Sequence, residues 1–139
     1  MRTVLVRKIA NTRLAEDDDL LELAVVRTED EVVIGDVLLV LRSVEHQTVE
    51  VGYIFSPAYG RQGYATEAVR ALLEVAFFEL GARRVVARVD ARNTASRALL
   101  ERLGMRQEAN LIENEWIKGE LTSEVDCAVL AREWLKAHG

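Results

Sequence analysis

Ser56-Pro57-Ala58-Tyr59-Gly60-Arg61-Gln62-Gly63-Tyr64-Ala65-Thr66-Glu67-Ala68 is the stretch on which the fold turns. A β-like run, Thr48 to Phe55, stops against its proline, and a strongly helical segment follows its glycines. Strand, glycine-bearing loop and helix start, in that order, gather unpaired backbone N–H groups and the positive end of a helix dipole at one point. Such a point holds an anion, most often a phosphate.

Outward from this loop the chain reads as alternating elements. On its C-terminal side Ala65, Ala68, Val69, Leu72, Ala76 and Leu80 recur at helical spacing, with Gly81 as the stop. On its N-terminal side lie three β-like runs, Leu20–Thr28, Glu31–Leu41 and Thr48–Phe55. Their short polar separators predict an antiparallel meander. Further upstream, Val6, Ile9, Ala10 and Leu14 make a modest helical stripe over Thr3–Leu14, broken by Asp17-Asp18-Asp19.

Downstream, Arg84–Asp90 alternates as a strand, and Asn93 or Thr94 caps a second helix carrying Ala95, Leu99 and Leu103 up to Gly104. Met105–Ile112 and Thr122–Leu130 read as two more strands, joined through Trp116 and a turn at Lys118-Gly119. The order α-β-β-β-α-β-α-β-β predicts an α/β (α+β) fold. It has a mixed sheet, helices on its faces and a right-handed crossover from Thr48–Phe55 to Arg84–Asp90.

Composition narrows the function. The 139 residues are half apolar and 29% charged, the profile of one globular domain with a real core. A net charge of −5 and pI near 5.1 argue against a nucleic-acid surface and permit a cationic or amine substrate. No apolar run reaches the roughly 18 residues of a membrane span; Val75-Ala76-Phe77-Phe78 reads as core helix. One cysteine, Cys127, and no signal peptide make the reducing cytoplasm the expected compartment. His46 and His138 stand far apart, so no metal site is expected.

Gly60-x-x-Gly63-x-Ala65 is neither a Walker loop, for want of Gly-Lys-Ser/Thr, nor a dinucleotide fingerprint, and an ordinary βα turn fits it equally well. A second segment separates these readings: Asn93-x-x-Ser96-x-x-Leu99 running to Gly104-Met105, again at the end of a strand. Together the two segments resemble the GNAT superfamily of acyl-CoA-dependent N-acyltransferases. The match is closer to the branch holding the ribosomal-protein (Rim-type) N-terminal acetyltransferases, through Glu50-Val51-Gly52-Tyr53, Gly63-Tyr64-Ala65-Thr66-Glu67-Ala68 and Ala128–Trp134. The resemblance spans Leu20 to Trp134. It implies a single acyltransferase domain over 1–139 with a mixed, mostly antiparallel sheet and helices on both faces. Thr3–Leu14 resembles the family's second helix, so the expected N-terminal strand and helix look to be missing.

The resemblance also implies a site. Arg61, Gln62, Gly63, Tyr64, Ala65 and Thr66 would hold the pyrophosphate of acetyl-CoA, with the pantetheine arm along Tyr53, Ile54 and Phe55. Asn93 would bond the arm's amide, and Ser96, Arg97, Leu99 and Leu100 would line the thioester and adenine side. The reaction is direct attack of a neutral amine on the thioester, with a backbone N–H near Phe55 for the oxyanion. Glu50 is the leading candidate base, against an ion-paired surface carboxylate as the plain alternative; Glu108 is the runner-up, and Glu113 and Glu115 could attract the amine.

Two departures from the family pattern stand out. Leu100 replaces the tyrosine that serves many members as general acid, which leaves Ser96, water or no dedicated group to protonate the thiolate. Gly60 replaces an Arg or Gln at the head of the loop signature. Cys127, Trp116 and Trp134 read as core or hairpin residues. The expected activity is therefore acetyl transfer from acetyl-CoA to a primary amine, on a protein N-terminus or a small molecule. Its competitors are a non-catalytic acyl-CoA-binding module and a nucleotide-binding domain. Three explanations for the missing N-terminal elements stay open: a truncated or misassigned start, a naturally reduced domain, or a homodimer whose partner subunit completes the sheet, which an exposed sheet edge would favour.

Overall fold

The computed structural model describes residues 3–8, 13–60 and 62–138. Seven strands form one sheet: β1 (Val4–Lys8), β2 (Leu20–Arg27), β3 (Val33–Ser43), β4 (Thr48–Phe55), β5 (Arg84–Asp90), β6 (Arg106–Ile117) and β7 (Glu120–Leu130), in the order β1-β2-β3-β4-β5-β7-β6. Every neighbouring pair is antiparallel except β4 and β5, which run parallel. The meander expected through β2, β3 and β4 is present, and α1 (Tyr64–Glu74) makes the crossover into β5. This is the mixed sheet expected from the order of elements, and mostly antiparallel as the family resemblance implied.

Strand alternation sorts side chains onto two faces. Leu23, Val25, Val37, Leu39, Val49, Val51, Val85, Ala87, Cys127 and Val129 share one face. They merge with Val69, Leu72 and Leu73 of α1, Leu99, Leu100 and Leu103 of α2 (Thr94–Arg102), and Trp134 of α3 (Ala131–His138) in a single buried cluster. All three helices thus lie on the same side, a correction to the expectation of helices on both faces. Val26, Val40 and Ala128 are buried on the other side, outside that cluster. No helix among the described residues packs there, and Ile54 is 77% exposed on it.

The N-terminal reading also changes. Val4–Lys8 is a strand, with Val4 opposite Arg27 and Val6 opposite Val25, not the start of a helix. The helical stripe borrowed Ile9 and Ala10, which lie outside the described residues. Val4 and Val6 alone alternate at period two, and β-branching favours the pleat. The first strand is therefore present, and 13–19 enter β2 without a helix.

Two local readings shift as well, and the turn at Lys118-Gly119 stands as expected. The first long helix passes at Val75 into a π-helical turn ending at Glu79, so Phe77 is buried while Phe78 is 59% exposed. α3, whose sequence was read only as a family-like tail, buries Trp134 against Phe77 with ring centroids 5.8 Å apart. The β6–β7 hairpin closes at Lys118-Gly119 with φ +50° and +81°, a conformation that suits Gly at the second position. Trp116 beside that turn is 69% exposed and packs no core.

Candidate active site

The parallel pairing of β4 and β5 is short. Thr48, Val49 and Glu50 pair with Arg84, Val85 and Val86, and there the contact ends. Beyond it β4 stays with β3 as far as Phe55↔Gly35, while β5 stays with β7 as far as Asp90↔Glu124. The strands diverge, and half the N–H and C=O groups of residues 51–55 face the gap without a ladder partner. Gly35 permits this course: a Cβ there would meet the Phe55 ring at 2.5 Å and the Ile54 carbonyl at 2.7 Å. A cavity of about 190 Å³ opens in the divergence, lined by Val51, Gly52, Tyr53, Arg88, Val89, Asp90, Asn93 and Ser96.

The loop beyond β4 is fixed from two sides. The Ser56 N–H donates to the Ile34 carbonyl (2.9 Å), and the Arg27 guanidinium lies 4.8 Å from the Tyr59 ring centre. Pro57–Tyr59 form one 3₁₀ turn. Gly63 then takes φ +79° directly before α1, and no atom lies within 4 Å of where its Cβ would be. Gln62 and Gly63 are exposed, while Tyr64 and Ala65 pack against the core. Arg61 lies outside the described residues.

A hollow of about 570 Å³ at this point is lined by Gly63, Thr66, Glu67, Arg70 and Arg102. The Arg102 guanidinium donates to Thr66 Oγ1 at 3.2 Å. Sequence reading missed Arg70 and Arg102, because only the packing of α2 beside α1 brings the end of one helix to the start of the other. A larger hollow of about 640 Å³ between β1 and α1 is lined by none of the catalytic or cofactor-binding residues expected from sequence.

At the start of α2 the Asn93 side chain accepts from the Ser96 N–H at 3.0 Å, the cap read from sequence. Arg97 turns back to the Ala91 carbonyl (3.1 Å) and Gln107 (3.3 Å). Leu99 and Leu100 are buried in the core and do not reach the cavity wall. The Ile54 side chain points to the open face, so only its backbone faces the gap. Tyr53 packs against Phe55, ring centres 6.0 Å apart. Its hydroxyl is buried beside Ser96 without a hydrogen bond of normal geometry.

The carboxylates expected to act lie on the open face. Glu50, 14% exposed, accepts from Arg42 at 3.0 Å and from Arg88 at 3.2 Å. Arg88 also lines the cavity, so the pair connects Glu50 to it. Glu108 pairs with Arg84, and with Arg106 at 3.1 Å; the Arg84 hydrogen bond, with help from Arg106, holds its carboxyl below the usual range. Glu113 and Glu115 are exposed along β6. Asp90 is held low by its bonds from Arg92. Burial pushes the Cys127 thiol up, as suits a core residue.

Comparison with known proteins agrees with this geometry. Residues 4–106 match the acetyltransferase (GNAT) domain family. The uncharacterized N-acetyltransferase YnaD of Bacillus subtilis (strain 168) is 32% identical over 115 residues, covering 79% of this chain and 64% of its own. YdaF of the same organism, named as a candidate ribosomal N-acetyltransferase, is 32% identical over 89 residues, 64% of this chain and 49% of its own. The chain thus spans less than two-thirds of the length of these relatives. A solved GNAT-family acetyltransferase from Bacillus anthracis superposes with a TM-score of 0.75 at 30% identity, covering 81% of this chain and 67% of that one.

Proposed function

This chain belongs to the GNAT acetyltransferase family, and on that premise we propose that it moves an acetyl group from acetyl-CoA to a primary amine. The acceptor is a protein N-terminal α-amine or a small-molecule amine. The observation that carries this reading is the divergence of β4 and β5 after Glu50↔Val86, with one helix start at each side of the gap. The site fits the co-substrate: an unobstructed backbone at Gly63, two arginines beside it, and an open strand edge leading to Asn93 and Ser96.

The amides from Arg61 to Thr66 would take the pyrophosphate, with Arg70 and Arg102 adding charge. Residues 53–55 would bond the arm through their backbone, and Asn93 would meet its amide. The thioester supplies an electrophilic carbonyl to an amine entering in a ternary complex. Ser96 would protonate the departing sulfur.

Glu50 is the proposed base, relieved of one ion pair when Arg88 moves. Its removal as Glu50→Gln should lower kcat about 100-fold; an unchanged rate would dispose of that role. We place the protein in the cytoplasm, without nucleic-acid or membrane partners and as a homodimer, on its acidic balance and its two sheet edges.

A second reading, a non-catalytic acyl-CoA-binding module, draws on two observations: Leu100 where many members have tyrosine, and a Glu50 tied by two arginines. Calorimetric titration with CoA, acetyl-CoA and ATP tests both. CoA binding without ATP binding supports the family site. Thiol release from acetyl-CoA with any member of an amine panel then separates enzyme from binder.

A further inference from the structure

The missing tyrosine has a counterpart that the sequence did not suggest. Tyr53 lies on β4, 47 positions before Leu100, yet its ring rises on the helix-covered face of the sheet toward α2. Its hydroxyl oxygen is buried and has no hydrogen-bond partner, a costly arrangement for a phenol. Ser96, one turn into α2, is the polar side chain beside it, and both residues line the cavity between β4 and β5.

We infer that Tyr53 acts through Ser96 as a two-hydroxyl relay to the leaving sulfur of the thioester. The inference rests on the acetyl-CoA reading above. Tyr53 is a positioning residue here: its O–H donates to Ser96 Oγ, which fixes the Ser96 O–H toward the gap. When the amine nitrogen forms its bond to the carbonyl carbon and the C–S bond breaks, the electron pair goes to sulfur. Sulfur takes the Ser96 proton, Ser96 takes the Tyr53 proton, and the phenolate is reprotonated by solvent entering the open cavity. The proton lost by the neutral amine leaves separately, through the base, and offsets the one that solvent returns to the phenolate, so the balance is one amide and one thiol with no net proton.

The surroundings keep Tyr53 a donor. Burial pushes its phenol above the usual value, and Ser96 opposes this only in part, so it stays protonated at neutral pH. The titratable group that acts on it is Cys127 of β7, itself pushed up by burial and opposed there by Arg97 of α2; Arg88 and Asp90 of β5 line the same cavity. The plain alternative is a core tyrosine whose hydroxyl is merely poorly matched. That alternative predicts no link between Tyr53 and a bound thiol.

The test is a titration of free CoA bound to the whole chain, read by the ultraviolet absorbance of its thiolate. In the wild type the bound thiol should ionise about one pH unit below free CoA. Tyr53→Phe should return most of that shift and Ser96→Ala all of it, with thermal melts showing each variant folded. With spermidine and an N-terminally free peptide as acceptors, Tyr53→Phe should lower kcat about tenfold at unchanged KM for acetyl-CoA. The double variant should be no slower than Ser96→Ala, because both groups serve one path.

A bound thiol that titrates alike in wild type and Tyr53→Phe overturns the relay and leaves the acetyltransferase reading intact. So does a double variant whose losses multiply. Failure of the wild type to bind CoA at all overturns both.

Discussion

α1 and α2 begin at the same level of the sheet, each just past the end of one of the two parallel strands, yet their first turns are built differently. Asn93 turns its side chain onto the Ser96 N–H and closes the start of α2. Before α1 stands Gly63 in the left-handed region, and among the described residues no side chain caps that helix. Its one first-turn acid, Glu67, is spent elsewhere: the carboxylate accepts from the N–H groups of Thr3 and Val4, both at 2.9 Å, and from Thr3 Oγ1 at 2.7 Å. One helix start is closed by its own side chain, the other kept open and flanked by Arg70 and Arg102. A helix whose donors are left to a ligand is an anion site; a helix that caps itself is a scaffold.

The sharpest way to break this comparison is to block the open start. Gly63→Val puts a β-branched side chain at φ +79°, into the open space proposed above for the pyrophosphate. Calorimetry should show CoA affinity falling by about 100-fold or more, roughly 3 kcal/mol. Backbone strain of about 1–2 kcal/mol accompanies it. Gly81→Val supplies the control. Gly81 follows the same helical segment at φ +68° with equally open space, so the strain is alike while CoA binding should hold. If both variants bind CoA as the wild type does, the start of α1 is not where the pyrophosphate sits.

How much of this was legible in the sequence follows the range of the forces involved. β4 and β5 were read to the residue, because proline, β-branching and polar separators act locally. The Asn93 cap was legible for the same reason: its acceptor and donor are three residues apart. β1 was misread because Val6, Ile9 and Leu14 fit a helical period on paper; only pairing with β2 selects the two-residue period. The side on which helices pack was invisible, since sequence gives each helix an apolar stripe but not the face it meets. Arg102 on Thr66 and Tyr53 beside Ser96 were invisible too, being contacts across 36 and 43 positions. Glu50 was legible as a carboxylate on β4 sharing a face with Gly52 and Ile54; its two arginines come from β3 and β5, beyond any local pattern.

A smaller effect sharpens the closed side of the comparison. Asn93→Ala removes the cap of α2 and should lower stability by about 1 kcal/mol, seen as a melting temperature lower by about 4 °C. Asn93→Ser can still accept from the Ser96 N–H, so it should restore most of that stability. CoA affinity separates the two roles given to Asn93. If the side-chain amide also meets the pantetheine arm, Asn93→Ser regains stability without regaining affinity. If both return together, Asn93 is a cap and nothing more.

The smallest effect concerns the acid that α1 does not use for itself. Glu67 is partly buried, which alone would raise its pKa, but the bonds from Thr3 and Val4 outweigh burial and the carboxyl sits below its ordinary value. A folded-state pKa below the unfolded one means the native state favours the ionised form. Its contribution is therefore full above the unfolded value of about 4.3 and is lost as pH falls through the folded one. Glu67→Gln should cost up to about 1 kcal/mol at pH 7, since Thr3 is solvent-exposed and the bonds are screened. Urea midpoints of the two proteins should differ at neutral pH and converge in acid, where both side chains are uncharged. A gap that persists or widens in acid would mean that Glu67 holds β1 through packing rather than charge. The open start of α1 would then owe nothing to where its first-turn acid is spent.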